Sequence, residues 1–82
     1  MTPGTITAVS AGTKQGIYRP QVRVYYHNDK YGILFETITK PLRCRSRARA
    51  IKLAKEWMKT DEFASLLDGE KAKIISQGGN TI

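Results

Sequence analysis

From Thr5 to Thr39 polar and apolar residues tend to alternate, whereas from Ser46 onward the apolar ones recur every third or fourth position. Alternation sends successive side chains to opposite faces of a strand; the wider spacing lines one face of a helix. The first alternating stretch is Thr5–Ser10, with Ile6 and Ala8 on one face and Thr7 and Val9 on the other. The polar segment holding Gly12 and Gly16 reads as a loop. In the next stretch Val22, Val24 and Tyr26 share one face, and Gln21, Arg23 and Tyr25 the other. That pattern predicts a half-buried antiparallel strand. Pro20 cannot donate to a ladder, so it marks a strand start, a bulge or an edge. Asn28-Asp29-Lys30 suits a hairpin loop, because Asn and Asp tolerate left-handed backbone. The return strand is Gly32–Thr39, with Ile33, Phe35 and Thr37 opposed to Leu34, Glu36 and Ile38. Apolar groups on both faces predict a central strand. Glu36 is expected opposite or beside a basic residue such as Arg23, as a cross-strand pair.

Pro41 interrupts the ladder, and Leu42–Arg45 reads as a short further strand with Leu42 and Cys44 inward. Ser46 is a good N-cap, since its hydroxyl accepts from free amides of a first turn. Arg47–Lys59 is then an amphipathic helix. Its buried stripe is Ala50, Ile51, Ala54, Trp57 and Met58; its wet stripe is Arg49, Lys52, Glu56 and Lys59. Thr60-Asp61 caps a second short segment, Glu62–Asp68, unless the first helix runs through. Gly69 weakens continuation, Ile74 and Ile75 are placed to fold back, and residues 1–4 and 77–82 read as flexible ends. The elements add up to one α+β domain over residues 1–82. An antiparallel sheet of three or four strands is packed against a C-terminal amphipathic helix.

Charge changes this picture more than composition does. With 40% hydrophobic and 26% charged residues, the chain of 82 has the make-up of a folded domain with a modest core. Its formal charge of +7 is unevenly spread, because the residues after Lys55 are net acidic. Between Lys40 and Lys55 stand Lys40, Arg43, Arg45, Arg47, Arg49, Lys52 and Lys55, with no carboxylate among them. Such a run seeks anions, and nucleic acid is the leading large anion. Arg43, Arg45, Arg47 and Arg49 fall on every second residue, but a helix starting after Ser46 turns the later two differently. Arg47, Arg49 and Lys52 also oppose the positive end of the helix dipole, a mild cost that an anionic ligand would offset. The alternative is a solvated basic rim that blocks edge-to-edge sheet association, or one that meets a protein.

Tyr18, Tyr25, Tyr26, Tyr31 and Phe35 gather on the strands. Core packing and cross-strand pairing are the ordinary reading; an open sheet face that stacks bases is the other. Tyr25, beside Arg23 and away from Val22 and Val24, is the best stacking candidate. The candidate nucleic-acid or anion site therefore comprises Arg23, Lys40, Arg43, Arg45, Arg47, Arg49, Lys52 and Tyr25. Cys44 and His27 are each the sole residue of their type, which leaves no metal set and no disulfide, and His27 sits at the hairpin rather than near Cys44 in sequence, which disfavours a Cys–His nucleophile. A single free thiol suits a reducing compartment. Ile33-Leu34-Phe35 is too short to cross a membrane, and the start shows no secretory signal. The expectation is a cytoplasmic, non-enzymatic module with no cofactor and no membrane contact. Its partner would be nucleic acid or an acidic protein surface, its oligomeric state undefined.

The order strand–strand–strand–helix over residues 17–59, with Ser46-Arg-Ala-Arg-Ala50-Ile51 opening the helix, resembles small DNA-binding modules of the integrase arm-binding and plant AP2-like type. That resemblance implies a sheet that enters the major groove and a helix that braces its back. The chain departs from the pattern where Pro41 follows the third strand, and basic and aromatic groups look sparse on its outer sheet face. Size and basicity are also similar to small prophage proteins that assist particle or tail assembly. From these comes the alternative of an interaction or assembly accessory protein.

Overall fold

Val22, Val24 and Tyr26 share one face, and the fold is built on covering them. A computed structural model describes residues 3–12 and 15–80. The order is β1 (Ile6–Gly12), β2 (Tyr18–Asn28), β3 (Gly32–Thr39), α1 (Arg47–Trp57), α2 (Asp61–Ser76) and β4 (Gly79–Asn80). The antiparallel sheet runs β1-β2-β3, and β4 pairs with β2 beyond the start of β1. In the register, Val24 lies between Ile6 and Glu36, and Val22 between Ala8 and Ile38. Both helices lie on this face. Ala54 and Trp57 of α1 and Phe63 and Ile74 of α2 close over Val22, Val24, Tyr26 and Ile38. The architecture is thus a two-layer α+β domain.

β2, not β3, is the central strand. The second strand of a meander takes a neighbour on each side, and β3 is left at the edge. Its outward Ile33 and Phe35 are therefore exposed rather than covered by a second layer. Glu36 does not meet Arg23. It stands opposite Val24, while Arg23 stands opposite Thr37, so strand alternation puts the two charges on opposite faces. Glu36 instead receives a hydrogen bond from Tyr26, whose phenol is held above its ordinary pKa by burial first and by the Glu36 charge second.

Leu42–Arg45 is not a strand. The amide of Leu42 donates to the Lys40 carbonyl at 2.8 Å, folding the chain back around Pro41. Only a single bridge then forms, in which Tyr18 and Cys44 exchange two backbone bonds of 2.7 Å. Cys44 is buried, as its inward placement predicts. Ser46 caps α1 by accepting from the Arg49 amide at 3.4 Å. α1 ends at Trp57, two residues before Lys59, because the Thr60 amide and hydroxyl both donate to the Trp57 carbonyl. The same hydroxyl accepts from the Phe63 amide and starts α2. This corner sets the Trp57 and Phe63 rings edge to face, with centroids 5.0 Å apart.

α2 continues past Asp68 and Gly69 to Ser76. A helical glycine costs about 1 kcal/mol, which the anchoring of Phe63 and Ile74 on either side outweighs. Leu66 and Ile75 do not join the core and remain exposed. Two flexible ends were expected. Gly4 donates to the Tyr25 carbonyl at 2.8 Å, and Gly79–Asn80 is strand; residues 1, 2, 81 and 82 lie outside the described residues. Gly78 has φ +86°, a conformation that favours glycine, and turns the chain out of α2. A Cβ on Gly79 would stand 2.5 Å from the Ile74 side chain and 2.8 Å from the Tyr26 ring.

Three outcomes follow from this packing. Trp57→Ala should lose about 3–5 kcal/mol in urea unfolding, enough to threaten folding of a domain this small. Gly79→Ala should lose about 1–3 kcal/mol by overpacking, measured the same way, whereas a frayed tail would be insensitive. The raised Tyr26 pKa makes its contribution intact below the ordinary value of 10.0 and lost as pH climbs above it. Tyr26→Phe should therefore flatten the alkaline fall in the urea midpoint relative to the parent protein.

Candidate nucleic-acid interface

With both helices on one side, the other face of the three-stranded sheet has no covering layer. Alternation assigns its residues. β2 contributes Arg19, Gln21, Arg23, Tyr25 and His27 to it. β3 adds Ile33, Phe35, Thr37 and Thr39, and β1 adds Thr7, Val9 and Ala11. Among the described residues no carboxylate belongs to the face, since Glu36 is turned to the helix side and Asp29 lies in the hairpin turn. Asp29 Oδ1 lies 3.5 Å from His27 Nδ1 there.

The centre of the face is aromatic and cationic. Tyr25 and Phe35 are register partners with ring centroids 5.6 Å apart, tilted by 57°. The Arg23 guanidinium lies 4.6 Å from the Phe35 centroid, a cation–π distance. Its Nε is buried and makes no hydrogen bond. Beside it Gln21 donates to the Thr39 hydroxyl at 2.9 Å, tying β2 to β3. The hairpin end is held by the Asn28 side chain, which accepts from the Lys30 and Tyr31 amides.

The Lys40–Lys55 run does not form one surface. The Tyr18–Cys44 bridge ties this segment to the start of β2, and Arg43 and Arg45 on either side of Cys44 are both exposed, Arg45 at a bend. Lys40 follows Ile38 by two residues and turns the other way. Its Nζ stands 5.6 Å from the Trp57 ring, in a shallow cleft of about 180 Å³ that Leu42, Leu53, Glu56 and Thr60 complete. Arg47 lies 5.8 Å over the Tyr18 ring. Arg49 and Lys52 are exposed on α1, away from its buried Ala50, Ala54 and Trp57. A helix bedded on one face of a sheet cannot present its far side to a ligand on the other. Of the predicted site residues, Arg23 and Tyr25 share the open face, and Arg43 and Arg45 flank the bridge at the Tyr18 end of β2. Lys40, Arg47, Arg49 and Lys52 do not join them.

Arg19 and Phe35 belong to the face and were absent from the predicted site. Arg19 was legible from its even spacing with Arg23. Phe35 was legible only once β3 was known to be an edge strand under an open face. No helix is long and apolar enough to cross a membrane. No protein-family model matches the chain, and searches of curated proteins and of solved structures find no significant match. The case for function therefore rests on the face itself.

Proposed function

We propose that this domain is a non-enzymatic nucleic-acid-binding module whose contact surface is the open sheet face. One observation carries the reading: an uncovered face has Arg19 and Arg23 on it, with exposed Arg43 next to the bridge at the Tyr18 end of β2, and among the described residues no carboxylate on the face to neutralise them. Guanidinium groups bind phosphate oxygens through paired hydrogen bonds, and a sheet holds them at fixed spacing. Thr7, Gln21 and Thr37 supply neutral donors between them. The resemblance to three-stranded DNA-binding modules agrees with a sheet-borne contact, and the outer face is richer in basic and aromatic groups than the strand pattern alone suggested.

A second reading keeps the outer side of α1 in view. Arg49, Lys52 and Lys55 are exposed on the opposite side of the molecule, which leaves them available to an acidic protein surface. An assembly or accessory partner would meet the domain there, without competing for the sheet.

Salt titration separates the two surfaces. With Arg19, Arg23, Arg43 and Arg45 engaged, log K against log salt should slope by about −3.6 on duplex, or about −2.8 on a single strand. Replacing Arg19, Arg23 and Arg43 with Gln should flatten the slope by about 2 to 3 units while far-ultraviolet circular dichroism stays unchanged. Replacing Arg49, Lys52 and Lys55 with Gln should leave the slope close to that of the parent protein. A slope governed by the α1 residues would return the contact to the helix.

A further inference from the structure

Phosphate binding requires cations and donors, not exposed rings. Yet Phe35 stands 46% exposed on the edge strand of the basic face, with Tyr25 against it and Ile33, 43% exposed, beside it. Cross-strand pairing explains the contact between Tyr25 and Phe35. It leaves unexplained the ring surface held in water beside Arg23, on a face that neither helix covers.

The chemistry of the ligand distinguishes what suits such a surface. In a duplex the base faces are hidden by stacking. A groove then offers base edges, and to an apolar group little more than thymine methyls. In an unpaired strand the base faces are bare and every base presents one, so an aromatic ring beside a cationic track is complementary to it. We infer that, granted the nucleic-acid reading above, the ligand of this face is a single strand. Its bases stack on Phe35 and Tyr25, and its phosphates pass Arg19, Arg23 and Arg43. Arg23 serves both parts. Its guanidinium lies 4.6 Å from the Phe35 centroid, so one side chain flanks the ring and brings positive charge beside it. The position of Trp57 on the buried face, under the helices, makes its fluorescence an independent report of folding.

The test uses the full chain and fluorescence anisotropy, with a labelled mixed-sequence strand of about 12 nucleotides and the duplex it forms with its complement, at matched salt. The strand should bind more tightly than the duplex. Phe35→Ala should weaken strand binding by about 5- to 150-fold, the range for loss of one stacked base, and leave duplex binding nearly unchanged. Phe35→Tyr should restore it, and the Phe35 ring protons of the parent protein should shift upfield on titration with the strand. Should Phe35→Ala alter Trp57 emission, Phe35→Leu, which keeps apolar bulk without the ring, gives the same comparison. Equal or tighter duplex binding, or strand binding indifferent to loss of the ring, would overturn the stacking inference and leave the basic-face reading standing. Failure of both oligonucleotides to bind at about 50 mM salt would remove that reading too. A Phe35-dependent dimer that excludes the strand would show that a second copy covers the face.

Discussion

Pro20, Val22 and Val24 along β2 are almost completely withdrawn from water, and the chain has only two helices with which to achieve this. The constraint propagates outward. α1 must lay Ala50, Ala54 and Trp57 toward the sheet, and α2 must turn back sharply enough to bring Phe63 beside Trp57. Thr60 makes that turn by serving both helix ends with one hydroxyl. β4 then closes the far end only because Gly79 lets its backbone lie against Ile74 and Tyr26. A few buried side chains thus hold four elements together, as expected of a small domain without a disulfide.

The same constraint creates the candidate interface. Both helices are spent on one face, so the other keeps whatever the odd-numbered positions of β2 supply. Those positions supply arginine, glutamine, tyrosine and histidine. The one carboxylate on β3 falls at an even position and is drawn into a bond with Tyr26 on the helix side. Charge sorting between the two faces is therefore a consequence of strand parity. A one-residue slip of β3 would turn Glu36 outward and Phe35 into the core.

Local rules read this chain well where one element decides its own geometry. The face assignment of β2, the hairpin at Asn28 and the caps at Ser46 and Thr60 are all local, set by alternation or by a single side chain. The errors share a cause. The apolar run of β3 looked central because a sequence does not show which faces have cover. Gly69 looked like an end to α2 because a propensity near 1 kcal/mol is visible locally, whereas the anchoring of Ile74 is not. Gly78-Gly79 looked like a frayed tail, since the groove that demands a missing Cβ exists only after folding. The arginine run was taken as one surface although Cys44 and Ser46 reorient the chain within it.

By itself the sequence determined the α+β class, the parity of each strand, the amphipathic stripe of α1 and the excess positive charge. All of these follow from periods of 2.0 and 3.6 and from residue type. Tertiary structure alone decided that β2 is central, that the helices share a face and that Lys40 and Arg43 part company. It also set Arg19, Arg23, Tyr25 and Phe35 on one uncovered face. Those residues lie on two strands, and their shared face depends on register and on which side the helices cover. Both are long-range choices set by burial of the β2 strip, which no local window contains.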